Sequence, residues 1–149
     1  RAAGATGMVG GQIIDLASEG KKIPLSTLRV MDERKTGALI LAAAEMGCVV
    51  GGADNEKIRA AREYAKALGL AFQIVDDILD VTGDSTLLGK NVGVDDLNDK
   101  STYVSLMGLD GAKKAVRELT DEAVTALAKF DGDTAYLDDL ARELAVRKN

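Results

Sequence analysis

The stretch from Asn55 to Val81 constrains the fold more than any other part of the chain. Its apolar residues include Ile58, Tyr64, Ala65, Leu68, Ala71, Phe72, Val75, Ile78 and Leu79, and they recur at spacings of three and four. That is the period of one helical face, not the alternation of a strand. The longest element is therefore a helix, and the rest of the chain has to pack against it. Ala5 to Glu19 reads as a further helix, ended by Gly20 and Pro24. Ser26 is the expected N-cap of a short helix through Leu28, Val30 and Met31. A longer helix is expected from Arg34 to Val50; Gly51-Gly52 breaks it and Asp54 caps the next. Gly83 stops the long helix. The segment Asp84 to Lys100 has no period, contains Gly89 and Gly93, and reads as a functional loop.

Beyond it, a short helix from Ser101 to Met107 is predicted to stop at Gly108, and Asp110 to cap a helix from Gly111 to about Phe130. Asp131-Gly132-Asp133 reads as a turn, and Thr134 opens a last helix to near Lys148. No strand pattern, repeat or low-complexity linker is visible. Composition agrees with an all-α domain: aromatics are 3% of the residues and Pro24 is the one proline. The 149 residues suffice for one domain with a real core.

Charge and composition exclude several functions. The net charge is −5 and histidine is absent, which removes histidine acid–base catalysis and histidine metal sites from this chain. Without a basic excess or aromatic platforms, nucleic acid is not an expected partner. The single cysteine, Cys48, sits in the apolar run Met46 to Val50 and reads as a small buried side chain in a reducing compartment. No uncharged apolar run is long enough to span a bilayer, and the start has no signal-peptide pattern, so a soluble cytoplasmic protein is expected. The chain opens abruptly on a helix-forming apolar stretch, which reads as a cut through an element. An acidic protein can still bind an anion when a divalent cation bridges the two.

The strongest chemical signal is Phe72-Gln73-Ile74-Val75-Asp76-Asp77-Ile78-Leu79-Asp80. On a helix, Gln73, Asp76, Asp77 and Asp80 share one face on adjacent turns. Like charges so placed repel, by roughly 4 kcal/mol for two unit charges about 4 Å apart at an effective dielectric of 20. A carboxylate cluster on an otherwise apolar helix calls for cations, and oxygen-only ligands favour a hard ion such as magnesium. Taken alone, the stripe reads equally as a solvated acidic surface.

Lys35-Thr36-Gly37 lies among apolar residues; Lys90 follows Gly89 in the aperiodic loop, and Lys100 stands at its end. A lysine supplies a compact charge suited to a phosphate oxygen, although each of these alone reads as a solvated surface residue. Two of them follow the carboxylates directly, where a lid over a charged ligand belongs. Gln12 and Asp15 fall one turn apart on one helix face, next to Gly10-Gly11, a pair that signals close backbone packing.

Together these motifs resemble the trans-isoprenyl diphosphate synthases, especially bacterial farnesyl and related short-chain synthases. The matching pieces stand in the family's order: Gly7 to Gln12 with Asp15-Leu16, Lys35-Thr36-Gly37-Ala38-Leu39, Phe72-Gln73 through Asp80, Leu88-Gly89-Lys90, and Asp99 to Tyr103 with Leu109. The resemblance implies an all-α, isoprenoid synthase-type helical bundle around a deep cavity, of which residues 1–149 are the carboxy-terminal half. It implies condensation of an allylic diphosphate with isopentenyl diphosphate through an allylic carbocation, giving farnesyl or geranylgeranyl diphosphate.

Asp76, Asp77 and Asp80 match a magnesium site, one side of a cavity that holds three such ions in the family. Lys35 and Lys90 match lysines on the allylic diphosphate, and Lys100, Gln12 and Asp15 are counted with them as diphosphate-binding. Lys35, Thr36 and Gln73 match the catalytic set, the oxygens of the last two facing the carbocation. The family is usually homodimeric; here a homodimer, or a complex with the protein's own amino-terminal half, is expected. Many relatives carry a histidine shortly before the Lys-Thr pair, where this chain has Asp32-Glu33-Arg34. A first aspartate-rich motif and the isopentenyl diphosphate residues are not in this chain, so these residues alone are expected to be inactive. Three other readings are a class I terpene cyclase, disfavoured by three aspartates after Phe72-Gln73; a non-catalytic subunit of a heteromeric synthase, disfavoured by the intact aspartates and lysines; and a purely structural helical domain, which leaves those residues unexplained.

Overall fold

The computed structural model describes residues 1–82 and 100–147. Among these residues the α-helices are α1 (Met8–Ser18), α2 (Leu25–Asp32), α3 (Ala38–Val50), α4 (Asn55–Thr82), α5 (Tyr103–Leu127) and α6 (Ala135–Val146). A π-helical turn, Glu33–Gly37, joins α2 to α3. Among the described residues every regular element is helical and none is a strand, as the periodicity predicts.

The 28-residue α4 is the axis of the molecule. It buries Tyr64, Ala65, Leu68, Ala71, Ile74 and Val75 on one face. Against that face α5 lays Tyr103, Ala112, Val116, Leu119, Ala123 and Leu127. Alanines at the seam let two long helices approach closely, and each large side chain locked between them, Ile74 above all at 1% exposure, contributes about 1.5–3 kcal/mol. The short α6 closes the end of this pair, where the Tyr64 hydroxyl donates to the Leu137 carbonyl at 2.8 Å. On the other flank α3 crosses α4 at Gly69, whose added Cβ would lie 3.4 Å from the Ile40 Cδ1. The outer face of α3 stays open: Met46, Val49 and Val50 are exposed, and Cys48 is half-buried instead of buried.

Local signals place most boundaries, and the departures have physical reasons. Asp54 caps α4 as expected, accepting from the Lys57 N–H at 2.9 Å. Ser26 is not a cap: α2 starts at Leu25, directly behind Pro24, and the Pro24 carbonyl takes the first N–H groups. The helix expected to begin at Arg34 has no separate start. Backbone turns run from Leu25 to Val50, and the π-turn inserts its extra residue at the Lys35-Thr36 pair. Gly108 breaks the helical dihedrals, with φ 75 and ψ 161, so the predicted stop holds: α5 is two helices that meet at a kink there, named here as one element. The cap of α5 is Thr102, reciprocally bonded with Ser105. The helix predicted to reach Phe130 ends at Leu127, and the last one opens at Thr134 as expected, with the Ala135 N–H donating to the Asp133 carboxylate at 2.9 Å. Residues 84–99 of the expected functional loop, Lys90 among them, lie outside the described residues. No described helix is long and apolar enough to cross a membrane.

Candidate functional site

The π-turn faces α1 on one side and α4 on the other. Its neighbour on α1 is Gly11, where an added Cβ would fall 2.2 Å from the Lys35 backbone nitrogen. Only a residue without a side chain admits that approach. One turn later on α1, Asp15 meets the Lys35 ammonium at 2.7 Å. Lys100, entering from beyond the undescribed segment, stands 3.9 Å from the other Asp15 oxygen. One carboxylate thus holds two cations in place.

On the α4 side, the Thr36 hydroxyl donates to Gln73 Oε1 at 3.0 Å, and the Gln73 amide donates to Asp76 Oδ2 at 3.1 Å. These two bonds set which way the amide faces: oxygen to the threonine, nitrogen to the aspartate. Asp77 accepts the Tyr103 N–H at 2.6 Å, a carboxylate at the positive end of α5. The other Asp76 oxygen pairs with Arg147. Asp15, Lys35, Gln73, Asp76, Asp77 and Lys100 all line one cleft of about 270 Å³.

Asp32 also lines this cleft, though only 6% exposed. Burial pushes its carboxyl up to about 6, partly offset by the adjacent Tyr103 side chain and the Lys35 charge. Burial also raises the Tyr103 phenol, with the Asp32 charge adding to the effect. The Tyr103 hydroxyl is buried beside the Asp32 carboxyl and, among the described residues, meets no partner with hydrogen-bond geometry.

The structure therefore brings together Asp15, Lys35, Thr36, Gln73, Asp76, Asp77 and Lys100 from the predicted set. It does not bring in Gln12, which is exposed and outside the cleft lining, or Asp80, half-buried one turn along α4 and also outside it. Among the described residues no group of three or more carboxylates gathers on one point. The donor set still fits magnesium, which keeps waters and takes one or two carboxylates plus phosphate oxygens. Asp76 and Asp77 supply two hard oxygen donors from one helix, and Lys35 and Lys100 line the same cleft. Sequence reasoning passed over two site residues. Asp32 was visible as an aspartate in the run before Lys35, but nothing local shows its burial. Arg147 is 71 residues from Asp76, and no pattern links them.

Comparison with known proteins completes the picture. The chain matches the polyprenyl synthetase family over residues 2–137. It is 45% identical to farnesyl diphosphate synthase of Escherichia coli (strain K12) over 144 residues, covering 94% of this chain and 48% of that protein. It is 44% identical to the chloroplastic geranylgeranyl pyrophosphate synthase 9 of Arabidopsis thaliana, covering all of this chain and 42% of that one. An apo FPP/GFPP synthase from Zymomonas mobilis superposes with a TM-score of 0.81 at 36% identity, over 96% of this chain and 47% of that one. A geranyltransferase from Helicobacter pylori, complexed with magnesium and isoprenyl diphosphate, superposes with a TM-score of 0.74 at 30% identity, over 96% of this chain and 48% of that one. The chain spans about half the length of the curated relatives it matches. The order of the motifs, the helical architecture and a match across most of the sequence agree: this chain belongs to the polyprenyl synthetase family.

Proposed function

We propose that this chain is the carboxy-terminal half of a prenyltransferase domain that joins an allylic diphosphate to isopentenyl diphosphate, giving farnesyl or geranylgeranyl diphosphate. The observation that carries this reading is the cleft itself: Lys35 and Lys100 line it together with Asp76 and Asp77. A free anion would be repelled by the carboxylates and a free cation by the lysines. A diphosphate with magnesium satisfies both. When bound, magnesium neutralises charge developing on the diphosphate leaving group.

The chain's own residues do the rest. Asp76 and Asp77, with Asp80 one turn on, hold the metal side. Asp15 aims Lys35 and Lys100 at the diphosphate oxygens, and Lys90 joins them. As the carbon–oxygen bond of the allylic diphosphate breaks, its electron pair passes to the leaving group, where the lysines stabilise it. The oxygens of Thr36 and Gln73, fixed by their mutual bond, present lone pairs to the allylic cation. The isopentenyl double bond then attacks that cation, and loss of a proton gives a product five carbons longer. Gln12 is on the same helix as Asp15 and belongs to the edge of the site in this reading.

The reading also places the enzyme in the cytoplasm, without membrane insertion, as a homodimer or paired with its own amino-terminal half. Support comes from the open apolar residues of α1 and α3, with Ile13, Leu16, Met46, Val49 and Val50 all more than half exposed. The test is steady-state prenyl transfer by the full-length protein with magnesium. Asp76→Ala should lower turnover by at least about 100-fold while helicity is retained. Turnover within a factor of two of the wild type would refute the metal role.

A further inference from the structure

The end of α6 delivers a cation to the aspartate wall. Past Val146 the backbone turns extended, and the Arg147 guanidinium pairs with one oxygen of Asp76. It also stacks on the Phe72 ring at 4.0 Å and donates to the Phe72 carbonyl at 3.3 Å. The arginine is largely enclosed, 19% exposed, whereas Asp76 is 48% exposed and open to the cleft. The pairing is incomplete: one terminal nitrogen serves both the Phe72 carbonyl and a single Asp76 oxygen, and the buried Arg147 Nε has no hydrogen-bond partner among the described residues. A purely structural arginine clamp would use its fork on both carboxylate oxygens. Here Gln73 holds the second oxygen instead.

We propose that Arg147 is a tethered counter-cation for Asp76, holding that carboxylate in place until a divalent ion arrives and then yielding the oxygen to it. The inference rests on the reading of Asp76 as a metal ligand. A guanidinium and a metal ion cannot share the same carboxylate lone pairs, and both carry positive charge, so the arginine competes with the metal. The Phe72 ring gives the guanidinium a seat that does not depend on Asp76, so it can slide off the carboxylate without leaving the wall. Arg147 is a positioning residue in this scheme: it keeps Asp76 aimed at the cleft and sets a threshold for metal entry.

The test is Mn²⁺ binding to the full-length protein, followed by electron paramagnetic resonance with no diphosphate present. Arg147→Gln should tighten Mn²⁺ binding about tenfold, and Phe72→Leu should shift it in the same direction by less. Arg147→Lys, which keeps the charge, should stay closer to the wild type. Asp76→Asn should weaken binding. If Asp76→Asn weakens binding but Arg147→Gln and Phe72→Leu leave it unchanged or weaker, the counter-cation role is overturned and the reading of Asp76 stands. If Asp76→Asn leaves Mn²⁺ affinity unchanged, both fall. Phe72→Leu keeps the arginine in place and carries the test should Arg147→Gln fail to fold.

Discussion

Replacing Gly11 by alanine should damage the site through the backbone alone. The added Cβ would lie 2.2 Å from the Lys35 nitrogen, 2.6 Å from its Cα and 2.8 Å from its Cβ. Ordinary contact begins at 3.4 Å, so α1 and the π-turn must separate by about 1 Å. No rotamer change relieves this, because two of the three atoms met are main chain. Overpacking costs about 1–3 kcal/mol, and backbone contacts place Gly11→Ala at the top of that range. The same movement stretches the Asp15–Lys35 bond from 2.7 Å past hydrogen-bond length unless the lysine follows α1 out of the cleft. Either way the ammonium is misplaced, and a shift of about 1 Å in a positioning group costs about 100-fold in rate.

The assays are urea unfolding and kcat/KM of the full-length enzyme. Gly132→Ala, in a turn with nothing within 4 Å, serves as the control and should stay within about 0.5 kcal/mol of the wild type. If Gly11→Ala unfolds within about 0.5 kcal/mol of the wild type and keeps kcat/KM within a factor of two, α1 does not rest on the π-turn as argued.

Two further outcomes follow from the same geometry. The folded Asp32 carboxyl titrates near 6, above its ordinary 3.8, so the folded protein holds this proton more tightly than the unfolded chain does. Its stabilising share is complete below about pH 4 and is lost as pH rises through 6; Asp32→Asn should therefore gain stability, of order 3 kcal/mol, at pH 8 and little at pH 4. Urea midpoints at the two pH values check this, and a pH-independent difference would contradict it. Thr36→Val removes the donor that holds Gln73 Oε1 and should cost about 0.5–1.5 kcal/mol while lowering kcat more than it raises KM. Equal loss in both variants Thr36→Val and Thr36→Ser would show that the hydroxyl is not what matters.

What the sequence alone determined was whatever is written within a few turns of one helix. The spacing of Ile58 to Leu79 sets α4, and its heptad-scale repetition leaves no room for a strand. The same local geometry puts Gln73 and Asp76 on one face, and the structure joins them by a hydrogen bond. Asp54 and the helix-breaking Gly108 were legible for that reason too. What only the tertiary structure decided are contacts between elements far apart in the chain. Asp15 meets Lys35 across 20 residues because Gly11 lets two backbones touch, and Arg147 reaches Asp76 across 71 because α6 folds back along α4. The π-turn is of this kind: nothing in the run Glu33 to Gly37 marks an extra residue, which shows only where the turn lies between α1 and α4. Burial decides Asp32 as well, since a carboxylate in sequence carries no sign of whether water will reach it. Local periodicity is a property of consecutive residues, whereas a cleft exists only once several helices have fixed their distances from one another.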